Sequence, residues 1–245
     1  MKNEKWSGEE TGSIVPTPAD KKIFEEIMNS DYSNIEDLTT ISDEIAEHLS
    51  KSHGTHGGSL VFPHVTYISD TAAKHLSQFR GFLGLYALTS NSISDTALEY
   101  LSKQKGVIGL YGFNSLPDNV IENLSKNQTN LYLHSLTSLS DTAAEYLSKS
   151  KAADLYLGLT SISDSVAKLL SKYKGILLLQ GLTSISDTAA DYLSKQDGEL
   201  LLDSLTSISD KALKCLTKHK GLIRLNKAFI GKIDVNKNSN IEFTK

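Results

Sequence analysis

Leu131-Tyr-Leu-His-Ser-Leu-Thr-Ser-Leu-Ser-Asp-Thr-Ala-Ala-Glu-Tyr-Leu-Ser-Lys149 decides the fold, because the chain keeps returning to it. The same phrase recurs around Asp43, Asp70, Asp95, Asp118, Asp164, Asp187 and Asp210. From Asp95 onward each interval is 23 residues (118 − 95, 141 − 118 and so on), whereas the first two are 27 (70 − 43) and 25 (95 − 70). Self-similarity at a fixed period of this size predicts a stacked solenoid, in which each unit buries its apolar face against its neighbours.

Within one unit the apolar residues follow two rhythms. Leu177 and Leu179 alternate with period two, as in a very short strand, while Ala189, Ala190 and Leu193 share one face of a two-turn helix. Ser186 and Asp187 stand where the helix starts, suited to free backbone N–H groups and to the positive helix end. Pro117 replaces that Ser in one unit, at a position where a missing N–H costs nothing. Gly54, Gly81, Gly106, Gly175, Gly198 and Gly221 fall eleven residues after their Asp (54 − 43, 81 − 70) and turn the chain into the next strand, with Thr129 and Ala152 as departures.

These residues resemble a leucine-rich repeat protein over about residues 31 to 228. The Leu-x-Leu strand recurs as Leu60/Phe62, Leu83/Leu85, Ile108/Leu110, Leu131/Leu133, Leu155/Leu157, Leu177/Leu179, Leu200/Leu202 and Ile223/Leu225. The turn Leu-Thr-Ser-Ile-Ser-Asp-Thr-Ala-Ala is similar to the phrase of the bacterial 23-residue subclass. The resemblance implies an α/β solenoid of eight repeats, with a parallel β-sheet on the concave face and short helices on the convex face. The family's buried Asn after the strand is absent, replaced by Leu136, Leu182 and Leu205. Stacked hydroxyls of Thr137, Thr160, Thr183 and Thr206 are expected to take over part of its knitting. Residues 152 to 158 run one position out of step, since Leu155 and Leu157 lie one residue closer to Asp164 than their counterparts do to theirs.

An open-ended solenoid needs covers. Residues 17 to 30 carry helix-start chemistry, with Ile23, Phe24, Ile27 and Met28 expected to face the first repeat. Residues 1 to 16 are expected to be disordered, and residues 229 to 245 to form a C-terminal cap or a hairpin turning at Asn236 to Asn240. No apolar run approaches membrane-spanning length, and the first residues lack the apolar stretch of a secretory signal, so a cytoplasmic chain is expected, with export open if a leader has been removed.

Candidate chemistry is sparse. Asp234, Asn236, Asn238 and Asn240 alternate like calcium ligands, but Ser239 stands where the loop needs Gly and Lys245 where it needs Glu. His48, His53, His56, His64 and His75 cluster early without the four convergent ligands of a zinc site. No nucleophile, phosphate-loop or zinc-hydrolase motif is present, and Cys215 is alone, so no enzyme, metal or cofactor is expected. The Lys row eight residues after every repeat Asp but Asp70 (Lys51, Lys103, Lys126, Lys149, Lys172, Lys195, Lys218) reads as helix-end charge and not as a nucleic-acid stripe, given a formal net charge of −4.

The surface with most to offer is the concave one. Residues flanking the core leucines should stand outward there: Phe82, Tyr86, Tyr111, Tyr132, His134 and Tyr156, continuing into Ile176, Leu178 and Leu201, with Glu199, Asp203 and Arg224 at one end. Aromatics with polar tips anchor interfaces, so the expectation is a strip that binds a protein or peptide. The alternatives are a face-to-face homodimer, in which the strip is self-covering, and a carbohydrate-binding adhesin, in which the tyrosines serve as platforms. Nucleic-acid binding and membrane insertion are not expected.

Overall fold

The computed structural model describes residues 18–29, 32–52, 58–233 and 240–244. Among these, helix α1 (Pro18–Met28) is followed by β1 (Thr40–Ile41), α2 (Asp43–Ser52), β2 (Ser59–Phe62), β3 (Tyr67–Ile68) and α3 (Asp70–Leu76). Strand and helix then alternate strictly: β4 (Phe82–Leu85), α4 (Asp95–Ser102), β5 (Val107–Leu110), α5 (Asp118–Ser125), β6 (Leu131–Leu133), α6 (Asp141–Ser148), β7 (Asp154–Leu157), α7 (Asp164–Leu170), β8 (Ile176–Leu179), α8 (Asp187–Leu193), β9 (Leu200–Leu202), α9 (Asp210–Leu216), β10 (Ile223–Leu225) and β11 (Ile241–Phe243). Nine strands form one all-parallel sheet in the order β11-β10-β9-β8-β7-β6-β5-β4-β2, and β1 pairs with β3 separately. The protein is an α/β solenoid of the leucine-rich repeat type. Parallel strands sit ~4.8 Å apart while packed helices need roughly 8–10 Å, so the sheet lines the inside of the bend.

Each Leu-x-Leu pair points into a continuous core that runs from Ile23 to Ile241. Leu83, Leu85, Leu155, Leu157, Leu177 and Leu179 are fully buried, as are the helix-face residues Ala189, Ala190 and Leu193. The out-of-step stretch is absorbed locally: β7 pairs Leu155 with both Leu131 and Leu177, so the strand arrives one residue late. The loop after it is one residue shorter, with Gly158 alone between Leu157 and Leu159 where His134 and Ser135 separate Leu133 from Leu136. A Cβ on Gly158 would collide with the carbonyl of His134, which is why glycine stands there.

The expected threonine column knits the repeats in part. Thr137, Thr160, Thr183 and Thr206 are exposed; Thr137 Oγ1 donates to the Asn114 carbonyl at 3.3 Å and Thr160 Oγ1 to that of Thr137 at 3.5 Å, and backbone joins the same turns, with Thr137 N–H donating to the Asn114 carbonyl at 3.0 Å, Thr160 N–H to Thr137 at 3.2 Å and Thr206 N–H to Thr183 at 3.0 Å. Two side-chain columns share the work. In the first, the N-cap serine accepts from its own helix and donates to the Asp of the preceding repeat. Ser186 accepts from Ala189 N–H at 2.9 Å and reaches Asp164 at 2.5 Å, and Ser140 reaches Asp118 at 2.6 Å. Ser69, Ser94 and Ser209 bond Asp43, Asp70 and Asp187 likewise.

The second column was not anticipated. Nine residues after the repeat Asp (104 − 95, 196 − 187, 219 − 210), a buried side chain reaches back to carbonyls of the previous turn. Gln104 Nε2 donates to Phe79 and Gly81 at 2.9 and 3.2 Å, and Gln196 Nε2 to Tyr173 and Gly175 at 3.0 and 2.8 Å. Tyr173 Oη donates to Ala152 at 2.8 Å, and His219 Nε2 lies 3.0 Å from the Gly198 carbonyl. These groups satisfy carbonyls that the tight helix-to-strand turn would otherwise bury unpaired.

At the ends, α1 sends Ile23 and Ile27 into the core, and Asp20 accepts from Thr39 N–H and Oγ1 at 2.9 and 2.8 Å. Met28 does not face the first repeat; it is 42% exposed, one residue past the buried face that Ile23 and Ile27 define. At the other end β11 pairs in parallel with β10, Ile223 opposite Ile241, so the tail adds a strand to the solenoid, while most of the turn expected at Asn236 to Asn240 lies outside the described residues. Asn240 Nδ2 donates to His219 and Gly221 carbonyls at 2.6 and 2.8 Å, repeating the latch of the interior turns. Asp234, Asn236, Asn238, Ser239 and Lys245 lie outside the described residues, as do residues 1–16.

Candidate functional site

The exposed sheet face alternates with the buried leucines, and register places its side chains shoulder to shoulder. Phe82 is opposite Val107, Gly84 opposite Gly109, Gly109 opposite Tyr132, and Tyr132 opposite Tyr156. Tyr86 and Tyr111 leave the strand ends one residue beyond Leu85 and Leu110. The rings join into one array. Tyr86 stacks on Tyr111 (centroids 4.1 Å, 10° between planes), Tyr111 on His134 (5.5 Å, 18°), His134 lies 5.1 Å from Tyr156, and Tyr156 stacks on Tyr132 (4.5 Å, 19°). Phe82 meets Tyr132 edge to face at 5.9 Å.

Glycines make room for this array. A Cβ on Gly109 would run into the Tyr111 ring, and one on Gly84 would crowd both Phe82 and Tyr86. The rings fold down over bare backbone, and their partners in adjacent strands hold them there. Stacking neighbours lie side by side along the sheet with their ring faces against each other, and the edge of the Tyr111 ring, its Oη included, lies over Gly109. Tyr86, at the end of the stack, is 42% exposed, and the other rings are half-buried.

Burial, followed by the hydrogen bond with Tyr86, raises the Tyr111 phenol above its ordinary value. Tyr156 is raised by burial and then by the charge of Asp154, which its hydroxyl approaches at 3.5 Å. Asp154 is held in turn by Asn130 Nδ2 at 2.7 Å. His134 is pushed down by burial, and its Nδ1 has no hydrogen-bond partner among the described residues. Each of these three shifts favours the uncharged form of its ring.

The aliphatic half differs from its expected exposure. Leu178 and Leu201 occupy outward register positions yet are only 6% and 7% exposed. Leu178 lies between Tyr156 and Leu201, and Leu201 between Leu178 and Arg224, so longer neighbours overtop both. Beyond them Arg224 grips Asp203 in a two-pronged pair, Nε to Oδ1 at 2.7 Å and Nη2 to Oδ2 at 2.5 Å. These two charges neutralise each other, while Glu199 stands half-buried nearby.

Among the described residues no three His, Cys, Asp or Glu side chains converge as metal ligands, and no helix is long and apolar enough to cross a membrane. His48 Nε2 lies 3.0 Å from the Tyr32 hydroxyl, and His53 and His56 fall outside the described residues. The expected Lys row is largely paired along its own helices: Lys51 with Glu47, Lys103 with Glu99, Lys126 with Glu122, Lys149 with Glu145 and Lys195 with Asp191.

No protein-family model and no curated protein matches the chain. Among solved structures it is similar to a chain of an octameric complex of Latrophilin 3 (Lec, Olf), Unc5D (Ig, Ig2, TSP1) and FLRT2 (LRR), with TM-score 0.41, 16% identity and 74% of this chain covered. It spans 66% of that chain, just under two thirds of its length.

Proposed function

We propose that this protein is a non-enzymatic recognition scaffold that binds a protein or peptide along the aromatic strip of its concave sheet. The observation that carries this reading is the continuous array from Tyr86 through Tyr111, His134 and Tyr156 to Tyr132 and Phe82, each ring held by contact with the next. Pre-stacked rings lose little side-chain freedom on contact, and a partner backbone meets both apolar edges and hydrogen-bonding groups. The carbohydrate alternative is less well supported, because a sugar platform needs free ring faces and these are spent on one another. Leucine-rich repeat solenoids commonly bind proteins, and the turn phrase supports placing this chain with the bacterial 23-residue type. We also assign α1 and β11 as the end covers of the array.

The test is capture of partners by the immobilised chain beside Tyr86→Arg, which loads charge onto the exposed end of the stack, and beside Lys211→Gln on the opposite, helix-bearing side. Partners lost by the first and kept by the second support the strip; partners kept by both place recognition elsewhere. Light scattering on the purified protein separates this from self-association, since a stable dimer broken by Tyr86→Arg would show that the strip is covered by a second copy.

A further inference from the structure

The turns from helix to strand carry a second file of cations beside the helix-end lysines, and it lies beyond the last helical turn. In most turns the latch residue that reaches back to the preceding carbonyls is buried, while the residues on either side of it are exposed. Lys103 and Lys105 flank buried Gln104, Lys172 and Lys174 flank Tyr173, and Lys218 and Lys220 flank His219. Lys149 and Lys151 bracket Ser150, and Arg80 follows buried Phe79. The latches fix these turns to one another, so the flanking side chains leave one edge of the solenoid in register, repeat after repeat.

Helix-dipole complementarity accounts for the lysines paired with an acid one turn earlier. It does not account for Lys105, Lys151, Lys174 and Lys220, which follow the latch; Lys172 and Lys218 stand at helix ends but have Lys168 and Lys214 one turn earlier in place of an acid. None of these six makes an ion pair among the described residues. Asp197 is the one acid standing in the file. Between α5 and α6 the edge opens into a groove of 360 Å³ lined by Lys126, Lys149, Lys151, Gln128, Tyr146 and Glu122.

We propose that this helix-to-strand edge is a docking surface for an anionic polysaccharide. A line of cations spaced by the repeat matches a linear polymer with regularly spaced sulfate or carboxylate groups, and the release of its counterions supplies the driving force. The exposed large apolar side chains among the described residues, Met28, Tyr86 and Ile230, lie away from the edge. Tyr146 in the groove is half-buried, so the edge offers no exposed ring on which single-stranded bases stack and no exposed apolar wedge for a bilayer. This surface is separate from the aromatic strip, and the two stand or fall independently.

The experiment titrates the full chain with a size-fractionated heparin oligosaccharide over a series of salt concentrations, beside the triple variant Lys151→Gln, Lys172→Gln, Lys174→Gln. A control of equal net charge, Lys74→Gln, Lys168→Gln, Lys214→Gln, removes exposed helix lysines outside the file. Affinity should fall about tenfold or more in the edge variant, and the slope of log affinity against log salt should shrink by about two, with the control close to the parent. Both triples change exposed side chains only, and matching melting curves confirm that they fold. The proposal is overturned by absence of heparin binding near physiological salt, by equal loss in the control, or by tighter binding of oligothymidine or anionic vesicles than of heparin.

Discussion

Tyr86 and Tyr111 lie face to face, ring centroids 4.1 Å apart and planes 10° from parallel, although they belong to different repeats. The contact makes the exposed strip part of the fold as well as a candidate interface, since each ring is held by the next.

Replacing Tyr111 and Tyr132 together by Ala should therefore cost stability as well as binding. Aromatic contacts contribute about 0.5–1.5 kcal/mol each beyond area burial, so a loss of roughly 1–3 kcal/mol is expected in urea unfolding. Replacing Leu131 and Leu133, which are fully enclosed, should cost more, at about 2–5 kcal/mol for each buried leucine. Partner affinity should fall by about 2 kcal/mol or more in the tyrosine variant, the scale of an interface hot spot. Equal destabilisation by both pairs would show that the strip is core; unchanged affinity would remove it as the binding site.

Stability should decline on mild acidification, and His219 is the residue to follow. Its Nδ1 is buried without a partner among the described residues, and burial lowers its pKa from 6.5. The folded state then binds a proton less readily than the unfolded chain. The contribution is fully present above pH 6.5 and is lost as pH falls from there through the lower folded value. His134 acts in the same direction for the same reason. His219→Gln, the residue used at the equivalent latches Gln104 and Gln196, should keep the bond to Gly198 and flatten the fall of melting temperature with pH. A variant with the parent's pH profile would exonerate this histidine.

What was legible in the sequence follows from what repeats by chemistry. The Leu-x-Leu pairs, the Ser-Asp helix starts and the Asp spacing recur as residue types, so the α/β solenoid, its strand register and the one-residue slip near Leu155 could be read directly. The latch column recurs by position and not by residue type: Phe79, Gln104, Tyr173, Gln196 and His219 include four kinds of side chain, alike in burial and, in four of the five, in reach to a carbonyl of the preceding turn. The exposure of Leu178 and Leu201 was illegible for a different reason. Alternation gives the side of the sheet, but burial there depends on how tall the neighbours are, and Tyr156 and Arg224 are taller than leucine.

The serine column predicts a graded effect at Ser186. Its Oγ accepts from Ala189 N–H and donates to Asp164, so Ser186→Ala removes a cap and an inter-repeat bond together. Loss of an N-cap side chain costs about 0.5–2 kcal/mol, and the upper half of that range is expected here. Ser186→Thr retains the hydroxyl and should recover most of it. If the threonine variant unfolds as readily as the alanine one, the hydroxyl is not what stabilises this turn.

Chelation should leave the melt untouched. The Asn-rich tail lacks the glycine and glutamate of a calcium loop, and the described histidines do not converge with other ligands, so neither EDTA nor added calcium or zinc should shift the transition. A stoichiometric shift of several degrees would place a metal in one of these segments.

The last prediction concerns the N-terminal end, where a repeat lacks a neighbour. Leu38, Ile41, Ile45 and Leu49 are buried in the first repeat, and α1 lies on that end with Ile23 and Ile27 enclosed and Asp20 bonded to Thr39. Removing residues 1 to 29 would strip this cover and leave an apolar end on a protein whose cooperativity runs from repeat to repeat. Melting temperature should drop, and light scattering should detect aggregates. Ile27→Asp separates the packing from the tail that precedes it: a buried carboxylate facing the first repeat should reproduce most of the loss with every residue before it still in place. A truncated chain that stays monodisperse with an unchanged melt would show that the first repeat closes on itself and that α1 is an appendage.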